Sequence, residues 1–393
     1  MADSEVVLEP PDASALASML QTANANGQTV LPRGSGTKLM WGPVSTPIDA
    51  VLSTRRLATP IDHRPGDLTA TIPAGATLAA VNELLGRGGQ WLPLDPQVSS
   101  EATIGGIVAF NDSGPRRHRH GTPRDLIIGV EMALADGRAA KAGGRVVKNV
   151  AGYDLSRLLC GSLGSLAVIT SATFKLAPLP PASRTVVTAT TNVETLTDLA
   201  LAIAAAPLAP SALEMEGPPY RLAIRYETTE TAAERQAHAT CAICDRFNVG
   251  TETCDAERED QLWLTLGSRM QNTGGTLVKM SVLPTLVGET LRTIEHLAAK
   301  VEVEYVTIGR VALGVLFVRL GSKPQAHSDI VISLRRDVEA KGGSLVVLHG
   351  ADALKRQVGT WGNVGSSLPL MRAVKARFDP AGTLSPGRGP GGI

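Results

Sequence analysis

Three stretches of the sequence combine glycines with polar and basic side chains at spacings that could hold an anion. The first is Val30–Gly42, "VLPRGSGTKLMWG". Gly34 and Gly36 let the backbone turn sharply and bring N–H groups close to a charge, while Arg33, Ser35, Thr37 and Lys38 add cations and hydroxyl donors. It lacks the G-x-x-x-x-G-K-[ST] spacing of a phosphate-binding P-loop, and it lacks the third glycine and the following helix of a dinucleotide fingerprint. Alone it reads more readily as a plain glycine turn than as a phosphate cradle, because a lone match is a weak signal. Lys38 either adds charge or faces water. The second stretch is 94–125, "LDPQVSSEATIGGIVAFNDSGPRRHRHGTPRD", which has little apolar periodicity and reads as a long functional loop. The third is 148–170, "KNVAGYDLSRLLCGSLGSLAVIT", where Gly161 and Gly164 make a tight turn between a short helix and a strand.

Other clusters carry less. His238, Cys241 and Cys244 recur at steps of three with Cys254 further on, along a slowly drifting helix face. That pattern suits packed cysteines better than a metal shell, and no metal is expected. Arg116, Arg117, Arg119 and Lys148 could fork a substrate carboxylate, although a solvated charged loop accounts for them too.

These residues must be carried by a folded framework. The chain has 393 residues, 43% hydrophobic, enough for two or three domains. A net charge of +1 and an aromatic content of 3% speak against a nucleic-acid surface. The start, "MADSEVVLEPPD", is acidic and is no secretory signal, and the longest apolar run, "LALAIAAAPLA", is too short to span a bilayer. A cytoplasmic protein is expected, associated with a membrane only through a partner. Apolar spacing predicts a helix over 12–26, strands near 28–32 and 48–53, a helix over 77–89, and strands over 126–137 and 166–178. The proline-rich 177–183 is a candidate boundary. Beyond it the order β-α-β–β-α-β recurs about twice, as for a sheet with helices on one face, with a variable segment between the repeats. A last helix over 366–378 leads to a Gly/Pro tail. The fold class is α+β: a first domain over 1–182, a cap over 183–350 and a C-terminal segment, 351–393, packing back on the first domain.

In order along the chain, "RGSGT", "ATIGG", "G…R…G…D", "GSLGSLAVIT" and the tail "RFDPAGTLSPGR" together resemble the PCMH-type FAD-binding family of vanillyl-alcohol-oxidase relatives. The resemblance covers 28–182 and the last 20 residues. It implies that FAD is the cofactor and its pyrophosphate the anion. It places Arg33, Gly34, Ser35, Gly36 and Thr37 at the pyrophosphate, Pro96, Thr103, Ile104, Gly105 and Gly106 along the flavin and ribityl chain, Ser113 and Gly114 near the pyrophosphate or ring, and Gly164, Ser165 and Ile169 near the adenine or ribityl part. The pyrophosphate loop has no histidine, so the FAD is expected to be non-covalent, with His118 and His120 in packing or ring-contacting roles. Tyr153 and Asp154 fit the family's "GYDL" and imply structural roles.

Within the family, "GPRRHRHGTPRD" and "VKNVAGYDLSRLLCGSLGSL" look closest to FAD-binding accessory subunits of bacterial glycolate oxidases. That implies partnership with a larger FAD-containing subunit and an iron–sulfur subunit, hydride transfer from a small 2-hydroxy acid to the flavin, and passage of electrons onward. The catalytic relatives' "H-x-G-D-G-N-x-H"-like and "E-H-G-x-G"-like motifs are missing. Only "VLHGAD" with His349 remains, and no catalytic base is identified. A self-sufficient FAD-dependent 2-hydroxy-acid dehydrogenase and a non-catalytic scaffold are the alternatives. A reductase of cell-wall precursor synthesis on the same fold fits "KNVAGYDL" poorly.

Overall fold

The computed structural model describes residues 6–43, 47–97, 100–146, 152–254, 256–271 and 274–393. The first helix, Ala13–Ala25, starts where the Asp12 side chain accepts from the Ala15 amide at 2.8 Å. Its buried Leu16, Leu20 and Ala23 lie one turn apart and cover a parallel three-stranded sheet in the order Val6–Leu8, Ala50–Ser53, Val30–Arg33. Beside it is an antiparallel five-stranded sheet in the order Asp62–Arg64, Thr69–Pro73, Val168–Lys175, Ile127–Ala133, Ala139–Gly143. The helices Leu78–Gly86 and Ile104–Phe110 pack on this second sheet through Val81, Leu85, Ile107 and Val108.

The stretch 94–125 is more ordered than its sequence suggests. It contains the helix Ile104–Phe110, with Gly105 and Gly106 in the first turn. A Cβ on Gly105 would lie 2.9 Å from Ala74 Cβ, so the glycine is what lets this helix approach the loop after Thr69–Pro73. The two glycines shorten the apolar pattern of this helix, while Ile104, Ile107 and Val108 pack into the core.

The cap is one eight-stranded sheet, antiparallel throughout, in the order Thr251–Cys254, Ala182–Thr190, Tyr220–Thr228, Ala212–Gly217, Tyr305–Arg310, Val315–Leu320, Thr276–Ser281, Ser344–His349. The two β-α-β–β-α-β units are its two halves, and they meet where Met215 pairs with Gly309. Helices Val193–Ala205, Glu230–Arg246, Val287–Val301 and His327–Ala340 cover one face around a core that includes Leu316, Val318 and Leu320. The alternate residues Val315 and Phe317 turn to the other face and join Trp41 of the first domain. Between the halves, the segment read from sequence as variable holds the helix Ala256–Ser268. Among the described residues no helix is long and apolar enough to cross a membrane.

After the helix Leu368–Phe378 the chain returns to the first sheet. Leu384 forms a parallel bridge with Val30, and the Val30 amide donates to Thr383 O at 2.7 Å. Buried Asp379 holds this return. It accepts from the Thr383 and Leu384 amides at 2.9 and 2.7 Å and pairs with Lys375 Nζ at 2.5 Å, and Lys375 also donates to Ser165 O and Leu384 O. Asp379→Ala strips these donors of their acceptor and leaves a buried ammonium unpaired. It is expected to cost about 3–5 kcal/mol of unfolding free energy, read by urea denaturation. A loss below about 1 kcal/mol would show that the returning segment is held by other contacts.

Candidate functional site

The strand Val30–Arg33 leaves the parallel sheet into the loop Gly34–Lys38. A Cβ on Gly34 would lie 2.0 Å from Thr103 Oγ1, and Gly36 has φ +80°. Glycine is therefore required at the first position by contact and at the second by conformation. The amides of Gly34, Ser35, Gly36 and Thr37 donate to no group among the described residues. Four unpartnered N–H groups in one turn, flanked by Arg33, fit an anion such as a pyrophosphate.

This loop floors an open cleft of about 720 Å³. The helix Ile104–Phe110 and Thr103 form one wall, Leu163–Gly164 and Ala167–Ile169 another, and Arg388 of the tail closes the end. Ten of the residues expected at the cofactor line it: Arg33, Gly34, Ser35, Gly36, Thr37, Thr103, Gly105, Gly106, Gly164 and Ile169. Five do not. Ile104 is in the core. Pro96 is buried outside the cleft. The Gly114 amide donates to Asp95 Oδ1 at 3.0 Å, and the Ser165 hydroxyl donates to Ser162 O at 2.7 Å. Ser113 lines a second cavity.

The charged residues are placed less as expected. Lys38 does not face water: it is buried, and its ammonium is 3.0 Å from Asp112 Oδ2. Arg116 is no free fork and is not solvated. It grips Glu227 of the cap strand Tyr220–Thr228 with Nε at 3.2 Å and Nη2 at 2.7 Å, stacked 4.6 Å from the Trp91 ring. Arg225 continues the network to Glu259 at 2.6 Å. Arg119 donates to Ala209 O at 3.1 Å. Lys148 lies outside the described residues. Asp154 caps the helix Leu155–Leu159 through the Arg157 amide, whereas Tyr153 is 92% exposed and packs nothing, contrary to its expected structural role. His120 meets Trp91 edge-on at 6.0 Å, and burial pulls its pKa and that of His118 down. His349 approaches Gly275 O at 3.3 Å, with its pKa lowered chiefly by burial. Among the described residues no three His, Cys, Asp or Glu side chains are grouped to hold a metal ion.

The second cavity, about 730 Å³, opens between the domains and shares Phe110 and Leu163 with the first cleft. Arg117 enters from the first domain and Lys279 and Arg310 from the cap sheet, around Phe317. Sequence reasoning missed Lys279 and Arg310, because each sits in an apolar strand where it reads as a single interruption.

Two family models match the chain. One, described as an FAD binding domain, matches residues 4–143; the other, described as the C-terminal domain of FAD linked oxidases, matches residues 182–388. The chain belongs to the FAD-linked oxidases. It is thus an FAD-dependent oxidoreductase, and FAD is its cofactor. This FAD-linked oxidase is 26% identical over 418 residues to glycolate oxidase subunit GlcD of Bacillus subtilis (strain 168), covering 98% of this chain and 88% of that protein. It is 28% identical to D-lactate dehydrogenase of Archaeoglobus fulgidus, covering 98% and 91%. Glycolate oxidase subunit GlcE of Escherichia coli (strain K12) is 37% identical, but over 171 residues, 43% of this chain and 48% of that protein. The likeness is thus closer to GlcE locally and wider to GlcD, and it does not choose between the two subunit types. An alkyldihydroxyacetonephosphate synthase structure superposes with a TM-score of 0.75 at 14% identity, covering 97% of this chain and 76% of that one, which shows the shared fold.

Two measurements check this site. Gly34→Ala forces a methyl group against Thr103, an overpacking that typically costs about 1–3 kcal/mol. FAD binding is expected to weaken roughly ten-fold or more, with partial recovery in Gly34→Ala/Thr103→Ala. Full flavin content in the single variant would mean that the loop is not the anion cradle. The second concerns pH. Burial pushes the Glu214 carboxyl up to about 7 and that of Asp95 up to about 6, each opposed by a neighbouring arginine. Both values exceed those of an unfolded chain, so the folded state keeps protons that the unfolded state releases. Their contribution to stability is full at acid pH and is lost as pH rises through about 6 to 7. Denaturation midpoints across pH should show this slope, and Glu214→Gln should flatten it; an unchanged slope in the variant would remove Glu214 from the account.

Proposed function

We propose that this chain is the FAD-binding subunit of a complex that oxidises glycolate or a similar small 2-hydroxy acid, with electrons leaving through an iron–sulfur subunit. The observation that carries this reading is the pair of adjoining cavities: an anion cradle of unpartnered amides on one side of Phe110 and Leu163, and a cation-walled chamber on the other. The names of the relatives, glycolate oxidase subunits and D-lactate dehydrogenase, supply the substrate class.

In this reading the loop Arg33–Thr37 holds the pyrophosphate through backbone N–H groups and hydroxyls. Thr103, Gly105 and Gly106 run along the cofactor, and Gly164 and Ile169 present backbone at the opposite wall. The attachment is non-covalent. FAD, when bound, supplies a two-electron acceptor. The chain's own contribution is to hold the substrate in the second cavity and to exclude water with Trp41, Phe110, Phe317 and Trp361. Asp112 is the sole carboxylate lining that cavity among the described residues, and it is paired with Lys38. This favours a chain that works beside a larger catalytic subunit in the cytoplasm over a self-sufficient dehydrogenase.

Anaerobic visible spectra test the reading. The isolated chain is expected to show a flavin spectrum that glycolate does not bleach, and bleaching is expected once the larger subunit is present. Bleaching of the isolated chain would establish the self-sufficient dehydrogenase instead. No bleaching by glycolate or lactate in either preparation would refute 2-hydroxy-acid oxidation.

A further inference from the structure

Lys279 of the cap sheet and Arg117 of the first domain are two cations that line the chamber between the domains. Neither has a hydrogen bond or ion pair among the described residues, and both reach the cavity between the domains. The cavity's other charges are committed. Arg310 is 95% or more buried, with Nε 3.1 Å from Glu214 Oε2, and Asp112 is held by Lys38. Arg310 is also under-satisfied: it touches Glu214 without hydrogen-bond geometry, so its Nε and both Glu214 oxygens lack a hydrogen-bond partner. Lys279 Nζ and Arg310 Cζ lie 5.9 and 4.9 Å from the Phe317 ring centre, so one aromatic side chain sets where both cations stand. Two cations without an ion pair and a third half-matched one around a largely apolar chamber, offset only by Asp112 and by Asp125 behind Arg117, are costly unless something negative enters it.

We propose that this cavity is a binding site for a small carboxylate anion, gripped by Lys279 and Arg117 against the fixed charge of Arg310, with side-chain cations and no metal ion meeting the ligand's charge. Trp41, Phe110, Phe317 and Trp361 supply aromatic walls, and Ser113 places a hydroxyl residue in the lining. The assignment rests on the proposed function solely for the statement that the ligand is a substrate; the anion site itself follows from the charges.

Burial, with Arg117 and Arg310 nearby, pulls the Lys279 pKa down to about 8, while Asp112 opposes the shift. Those residues, together with Lys38 and Glu214 behind them, are the charged groups around its ammonium. The charged form binds the anion, so affinity is full below about pH 8 and falls as pH rises above it.

The test is calorimetric titration of the FAD-loaded protein with oxalate, which has no C–H bond to oxidise, alongside neutral acetamide. Oxalate is expected to bind, acetamide not to bind, and EDTA to leave the affinity unchanged. Lys279→Met should weaken oxalate by about ten-fold or more, the loss of one charge-assisted contact, and should flatten the fall in affinity above pH 8. Arg117→Met should weaken it in the same direction. Because Lys279 has no partner to orphan, its variant should melt no lower than the wild type. Equal oxalate affinity in Lys279→Met and wild type would overturn the proposal, as would no oxalate binding at millimolar concentration or binding abolished by EDTA. Oxalate binding that depends on Lys279, with no bleaching by glycolate or lactate in either the isolated chain or the chain with the larger subunit, would uphold the site and discard the proposed function. Bleaching by glycolate only once the larger subunit is present, with Lys279 irrelevant to oxalate binding, would do the reverse.

Discussion

The structure depends on keeping a short piece of backbone unused. The amides of Gly34 to Thr37 leave a parallel strand, and in most folds such groups would be tied into a turn or a helix cap. Here the strand Val30–Arg33 is held from both sides, by Ala50–Ser53 in the sheet and by the returning tail at Leu384. The loop beyond can therefore stay open at little conformational cost. Thr103 blocks the space a side chain at Gly34 would take, so the loop cannot refill itself. Lys38 is drawn down to Asp112, which fixes the loop's far end. The rest of the first domain serves to set the helix Ile104–Phe110 and the turn at Gly164 against this one exposed stretch.

The cap follows a second constraint. Its sheet has one apolar face, covered by four helices, and one face that carries Glu214, Arg225, Glu227, Lys279, Arg310 and Arg319 toward the first domain. Burying that many charges is expensive, and most are matched in pairs across or along the sheet. The Arg116–Glu227 contact is the clearest cross-domain pair, because it fixes the cap over the site with a planar fork and rests on the Trp91 ring. Charge matching of this kind defines one docking geometry where an apolar interface would tolerate sliding.

The fold was largely legible in the sequence. Leu16, Leu20 and Ala23 announce the first helix, and the repeated β-α-β–β-α-β order of the cap appears as two halves of one sheet. Two elements were not legible. The helix Ile104–Phe110 hides because it is short and two of its first three residues are glycines, so its stripe of Ile104, Ile107 and Val108 spans little more than one turn. The helix Ala256–Ser268 hides because it mixes Glu259, which serves an ion pair, with an exposed Leu264. At the site, the glycine loops were visible as motifs, since conformation and close approach restrict them to glycine. The partners of Lys38, Arg116 and Arg388 were not, because they come from residues 74 to 350 positions away or from another sheet, and one-dimensional spacing does not record such contacts.

The contrast between Arg116 and Arg117 shows how adjacent residues of one type acquire different work. Both lie at the one-turn helix Arg117–His120, and both are partly removed from water. Arg116 points to the cap strand Tyr220–Thr228, where a carboxylate meets it, and the positive charge is held more firmly there than in water. Arg117 points to the chamber, where burial and the Arg310 guanidinium disfavour its positive charge and Asp125 offsets them only in part. The protein could have removed that cost with a glutamate on the cap sheet opposite Arg117, as it did for Arg116 with Glu227. It instead presents Lys279 there, adding to the imbalance. A buried imbalance of charge next to a cofactor cleft favours a ligand of opposite sign, and it is this imbalance, more than any single motif, that distinguishes the chamber from an ordinary gap between two domains.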